Sequence, residues 1–301
     1  MQVDNSEPNT SITRIEQAWI SQEFFESKIN ILAGLYDIGN DFYITNSAGI
    51  FIQPSFGIGN EIAQTTTNGI NIYGASTFPE HSIGTKVKFT PNDTIYFQAA
   101  IMDALLQNNS NVNDINTRIS KHNGAMFIAE TGTTSSYGNY SIGVWQFSKK
   151  FPTLLNQQTL KSNSGYYLMG EKSLYKQDAR ELFGFIRYGV ADGRVVQINQ
   201  MLSLGLTLNG VIKERDNSKL GFGISKAYIG RDYVQSVINN GQDTHSSETS
   251  FELTYSDKIT SWLRVQPDLQ YIPNPTLNPV NAGSPYLKSA TLAMLRINIE
   301  F

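Results

Sequence analysis

The sequence predicts an all-β protein, a transmembrane antiparallel β-barrel, on three observations. Apolar and polar residues alternate with a period of two in segment after segment, the links between segments alternate between short and long, and the chain closes an alternating strand on Phe301. The composition agrees. Only 16% of the 301 residues are charged, below the roughly 25% of ordinary soluble domains, while 24 Gly, 15 Tyr and 16 Phe suit a sheet whose faces meet different solvents. No apolar run approaches 18 residues and the mean hydropathy is -0.27, which excludes a transmembrane helix. Barrel strands remain open, since each needs only about 9 to 11 alternating residues.

The 23 Lys and Arg balance 26 Asp and Glu, so nothing in the net charge of -3 calls for nucleic acid. The absence of cysteine excludes a disulfide framework, a thiolate zinc site and a cysteine nucleophile. The opening MQVDNSEPNTSITRIEQ has no basic stretch followed by an apolar one, so no signal peptide is visible. An outer-membrane chain needs such a leader, so the numbering is expected to be that of a mature chain or of one lacking its true N-terminus.

Taken in order, the first segments fall at about 12–24 and 28–37. Arg14 and Glu16, two apart, share one face of the first, and with lipid on the other face the pair is expected in the lumen; a solvated pair at a strand end is the competing account. A long link at 38–81, rich in Gly, Asn and Thr, follows. It is expected to fold into the lumen and narrow it, because 48–52 and 55–58 are too apolar for a fully solvated segment; the alternative is a surface loop shielding the mouth. Segment 82–90 sets Lys86 and Lys88 opposite Val87 and Phe89, and 94–103 carries Tyr96 and Gln98 inward, with Asp103 at its end.

Segments at 124–131, 138–148, 165–175 and 181–190 come next. INQMLSLGLTLNG then sets Ile198, Leu202, Leu204, Leu206 and Leu208 against Asn199, Ser203, Gly205, Thr207 and Asn209, and 219–229 follows. In 249–256 Phe251, Leu253 and Tyr255 oppose Ser250, Glu252 and Thr254. In WLRVQPDLQYI, Leu263, Val265, Leu269 and Tyr271 oppose Arg264, Gln266, Asp268 and Gln270. The last segment, 289–301, opposes Ala293, Leu295, Ile297, Ile299 and Phe301 to Arg296, Asn298 and Glu300. Its terminal Phe301 resembles the signal by which outer-membrane barrels are recognised for assembly; an ordinary edge strand is the alternative. Such barrels have an even strand number with both ends in the periplasm, so this odd count of roughly thirteen predicts at least one missing N-terminal strand. Residues 1–301 are thus expected to be a single, N-terminally truncated barrel domain.

Four blocks resemble one family in order: LAGLYDIGNDFYITNSAGIFIQPSFGIGNE (32–61), FPEHSIGTKVKFTPNDTIYFQAAIMDA (78–104), LFGFIRYGVADGRV (182–195) and ELTYSDKITSWLRVQPDLQYIPNP (252–275). The chain is similar to the OprB-type carbohydrate-selective porins. That resemblance implies a bacterial outer-membrane barrel of about sixteen strands whose hydrophilic lumen passes monosaccharides such as glucose by passive diffusion. It also implies partners in small carbohydrates, outer-membrane lipid and the barrel-assembly machinery. Homo-oligomers occur among porins, and no segment here fixes that state.

The groups expected to line the substrate path are therefore Arg14, Glu16, Lys86, Lys88, Tyr96, Gln98, Asp103, Glu252, Arg264, Asp268 and Arg296. A lumen of mixed charge builds no large field of one sign while offering donors and acceptors to a neutral polyol. Tyr96, Tyr167 and Trp145 are candidates for an aromatic track under sugar C–H faces; interfacial girdle positions are the alternative. No catalytic residue, metal site or cofactor is expected. The histidines, His81, His122 and His245, fall in predicted solvated loops, and Gly221-Phe222-Gly223 lacks the third glycine and helix of a dinucleotide loop, so its glycines are small lumen-facing positions. An outer-membrane barrel hydrolase and a plugged structural or adhesive barrel remain the competing functions.

Overall fold

The computed structural model describes residues 15–67, 71–108, 120–213, 215–275, 279–286 and 288–300. Thirteen strands form one antiparallel sheet in sequence order: β1 (Ala18–Phe24), β2 (Ile29–Tyr36), β3 (Ser82–Phe89), β4 (Ile95–Asp103), β5 (Ala125–Ser135), β6 (Gly138–Pro152), β7 (Leu160–Gln177), β8 (Arg180–Ala191), β9 (Ile198–Asn209), β10 (Lys219–Ile229), β11 (Ser247–Lys258), β12 (Leu263–Ile272) and β13 (Ala290–Ile299). Each expected segment has its strand. Strand β1 and strand β13 are the edges, and as first and thirteenth of an alternating series they run in the same direction.

Register fixes the two faces. In antiparallel pairs directly opposed residues share a face, so Val87 with Ala99, Ile101 with Phe127, Phe127 with Gln146 and Leu204 with Ile224 lie outside. Large apolar side chains on that face stay open: Phe97, Ile142, Val144, Ile186, Leu206, Phe222, Leu253, Leu269, Leu295 and Ile297 are all exposed. A belt of this extent has no counterpart on a soluble monomer and matches the hydrocarbon band of an outer-membrane barrel. No helix among the described residues is long and apolar enough to cross a membrane.

Links alternate as expected. Short turns join β1 to β2, β3 to β4, β5 to β6, β7 to β8 and β11 to β12, and a link of middling length, 210–218, joins β9 to β10; the opposite end carries the long links 37–81, 104–124, 230–246 and 273–289 and two shorter ones, 153–159 and 192–197. Short turns mark the periplasmic end. Strands β6 and β7 outrun the segments expected at 138–148 and 165–175, because β6 continues through Pro152 and β7 begins at Leu160, which leaves 153–159 as their link. Two features absent from the sequence account sit at the long-loop end. A helix, Arg231–Asn239, packs Tyr233 and Val234 on Ile198, Met201, Ala227 and Ile229, and a three-stranded ribbon joins 66–67, 71–73 and 105–108.

The core lies inside the sheet, between its inner face and the segment 37–81. Two buried clusters form there, one around Ile38, Phe42, Tyr43, Ile62, Met102, Met126, Trp145 and Tyr167, the other Ala48, Phe51, Phe56 and Phe185. The apolar character of 48–52 and 55–58 is satisfied by this burial. The glycines of β10 make room for it: a Cβ at Gly223 would lie 2.6 Å from the Phe56 ring, and one at Gly221 3.1 Å from the Phe51 ring.

Candidate functional site

Residues 37–63 run through the interior as short 3-10 turns and a single helical turn, Asn60–Ala63, none of which gives the backbone a continuous hydrogen-bond ladder. Buried amides need other partners. The inward side chains of the strands supply them.

Three glutamates on the inner face accept from this segment. Glu130 of β5 takes the Tyr43 N–H at 2.9 Å and the hydroxyls of Tyr167 and Tyr96 at 2.6 and 2.8 Å, and Gln98 Nε2 at 2.8 Å. Glu171 of β7 takes the Ser47 N–H at 2.8 Å, its hydroxyl at 2.7 Å and Asn139 Nδ2 at 2.8 Å. Glu252 of β11 takes the N–H groups of Ile52 and Gln53 at 2.6 and 3.1 Å. Charged acceptors make such bonds roughly twice as strong as neutral ones.

Donors from the wall meet the segment's carbonyls. The Arg187 guanidinium of β8 donates to Tyr43 O at 2.8 Å and to Phe56 O and Gly57 O, and lies 4.4 Å from the centroid of the Tyr43 ring. That ring stacks on Tyr167 with centroids 4.1 Å apart. Gln266 of β12 donates to Ile50 O, Thr207 of β9 to Ser47 O and Ser203 to Ser55 O. The segment is thus pinned from β4 round to β12.

Within it, Glu61 is fully buried, and burial pushes its carboxyl up to about 7, with Arg187 and Tyr43 acting in the opposite sense. At the long-loop rim Asp192 is held below the usual carboxylate range by its hydrogen bonds from Arg194.

Of the residues singled out from sequence, Lys86, Lys88, Tyr96, Gln98, Glu252, Arg264, Asp268 and Arg296 all stand on the inward register. They do not form one constellation. Lys86 is buried in an ion pair with Asp41 at 2.7 Å, and Gln98 also donates to Asp41 O. Tyr96, with Lys88 Nζ 5.1 Å from its ring centroid, borders a cavity of about 220 Å³ below the loop. Arg264 and Arg296 border a second cavity of about 580 Å³, and Glu171 and Asn139 border both.

Asp103 stands apart. Its odd position puts it on the face of Phe97 and Ile101, and at the rim its carboxylate accepts from Leu105 N and Asn123 Nδ2, holding a turn instead of lining the lumen. Glu16 precedes β1, which begins at Ala18, and is exposed. Arg14 and Phe301 lie outside the described residues.

Trp145 is no girdle residue. It faces inward and is buried against Ile128 and Phe147. Tyr167 is inward too, but it is closed beneath Tyr43 and offers no ring face to a solute. His81 is buried, with its Nε2 3.3 Å from Asp37, and is not a solvated loop group.

Glu130, Glu171 and Arg187 were not named from sequence, yet parity finds them. Each is a charge at mid-strand beside outward Ala129, Gly170 and Ile186, and a charge there must face the lumen. Tyr43 and Glu61, in a segment without periodicity, carry no comparable signal.

An antiparallel sheet with a lipid-facing apolar belt, a hydrogen-bonding inner face and a long segment docked inside defines a porin-type channel of the bacterial outer membrane. Comparison with known proteins refines the class. The family model described as carbohydrate-selective porin, OprB family, matches residues 2–301, and the chain belongs to that family. It is 22% identical to Porin B of Pseudomonas aeruginosa, over 96% of this chain and 68% of that one. It is 25% identical to Porin AaxA of Chlamydia abortus over 90% of this chain, and spans 55% of that relative's length. In fold it is similar to the high-pH structure of OprB from Pseudomonas putida, with a TM-score of 0.77, 21% identity, and coverage of 96% of this chain and 73% of that one.

Proposed function

We propose that the chain forms the wall and the constriction of a passive pore for small carbohydrates, monosaccharides such as glucose, with 38–81 as the constricting segment. The observation that carries this is the ring of inward anchors, Glu130, Glu171, Arg187, Glu252 and Gln266, each bonded to that segment inside the sheet. A fixed segment narrows a wide lumen without closing it, and the cavities beside it are edged by hydroxyls, amides and charges that match sugar hydroxyls. On this account Lys88, Tyr96, Arg264 and Arg296 border the path, while Lys86, Gln98 and Glu252 hold its edge and Asp268 stands behind them.

Closing β13 onto β1 by antiparallel pairing takes an odd number of further strands. Lipid at the apolar belt and recognition of Phe301 by the assembly machinery belong to the same proposal. The test is uptake of labelled glucose by cells stripped of their other porins. Expression of the chain should raise uptake in proportion to external glucose, without saturable coupling to energy. Uptake equal to that of the empty cells, with the protein in the outer membrane, would refute it.

A further inference from the structure

Three inward acids hold the docked segment, and three inward cations stand nearer the short turns. Glu130, Glu171 and Glu252 are buried, and each accepts two or more hydrogen bonds that fix the inner segment. At the short-turn ends of β10, β12 and β13 the inward positions are instead Lys219, Arg264 and Arg296, which border the cavity of about 580 Å³ below the segment. The acid on that lining is Glu171, with one oxygen taken by Ser47 and the other by Asn139. Acids on the neighbouring rim are neutralised locally, Glu181 by Lys176 and Glu300 by Lys258. On this lining Lys219, Arg264 and Arg296 outnumber the carboxylate of Glu171, and low-dielectric walls concentrate the positive potential that results.

We propose that this cavity is a binding site for sugars bearing a negative charge, a carboxylate or a phosphate, on the periplasmic side of the constriction. This rests on the sugar-pore account and adds a substrate class to it. The Arg264 and Arg296 guanidiniums present planar donor forks suited to either anion, Lys219 adds a point charge, and Asn209, Ser256 and Asn298 on the same lining serve the hydroxyls. A lumen of evenly mixed charge, as composition alone implies, would show no such preference.

The experiment is titration calorimetry of the detergent-refolded chain with glucose, glucuronate and glucose 6-phosphate at low salt. Both charged sugars are expected to bind at least tenfold more tightly than glucose; preference for one identifies carboxylate or phosphate as the better fit. Arg264→Gln combined with Arg296→Gln should erase the advantage, and Lys219→Gln, at an exposed strand end, should reduce it severalfold without loss of fold. Equal affinity for all three sugars, or an advantage that survives the substitutions, overturns the proposal. Conductance of the same preparations in a salt gradient separates the two accounts. A conducting pore indifferent to anions sinks the site and spares the pore, whereas charged-sugar binding without conductance spares the site and sinks the pore.

Discussion

Replacing Glu252 by Ala removes the two acceptors that hold Ile52 and Gln53 against β11, at 2.6 and 3.1 Å. Hydrogen bonds to a charged group are each worth about 1.5 to 3 kcal/mol, so the gross loss is roughly 3 to 6 kcal/mol. Part returns, because Glu252 no longer pays desolvation inside the sheet and a like charge is removed one diagonal step from Asp268, which is paired with Thr254. Water entering the vacated space re-solvates the amides. A net weakening of about 2 to 4 kcal/mol shifts the docked-to-undocked ratio of 50–53 by roughly 30- to 1000-fold, at about 1.4 kcal/mol per factor of ten. Gln266 and Thr207 still hold Ile50 and Ser47, so the segment loosens locally instead of leaving the lumen. Single-channel recording should show larger, noisier conductance, and liposome swelling should extend to larger sugars. Wild-type conductance, noise and size limit in a folded, inserted variant would refute the anchoring argument.

Further outcomes follow from the same contacts. Gly223→Val places a Cβ about where the Phe56 ring now lies, 2.6 Å away, and should expel Phe56, raising conductance and lowering thermal stability by about 1 to 3 kcal/mol; unchanged melting and conductance would contradict the packing. For Glu61 the folded carboxyl titrates at about 7, above its ordinary 4.5, so the docked state is favoured in full below about pH 4.5 and loses up to about 3 kcal/mol as pH rises through 7. Glu61→Gln should therefore raise the melting temperature at pH 8 and flatten its pH dependence between 5 and 8. Removing Phe301 should lower the amount of chain assembled in the outer membrane, read by heat-modifiable mobility on gels.

Strands were legible because each buries one face and exposes the other: alternation around Lys86, Tyr96, Glu252 and Arg296 assigns both face and approximate bounds. The same parity excludes Asp103 from the lumen, and applied to Glu130, Glu171 and Arg187 it would have named the anchors. What periodicity cannot supply is the fate of an inward side chain. Lys86 and Lys88 read alike, yet one is buried against Asp41 and the other borders a cavity, because that depends on where an aperiodic segment docks. The apolar stretches 48–52 and 55–58 announced burial but not their partners, Phe185, Gly221 and Gly223. Trp145 and Tyr167 face inward, yet neither opens a ring face to a solute, because periodicity cannot tell an inward aromatic under a loop from one open to the lumen.

The central claim is that a segment fixed inside this sheet leaves a path for small sugars and bars large ones. Its most direct measurement is swelling of liposomes holding the refolded chain in isotonic glucose, a disaccharide and a longer oligosaccharide. The account predicts fast swelling in glucose, slower in the disaccharide and none in the oligosaccharide. No swelling in glucose despite confirmed insertion, or equal rates for all three, would contradict it.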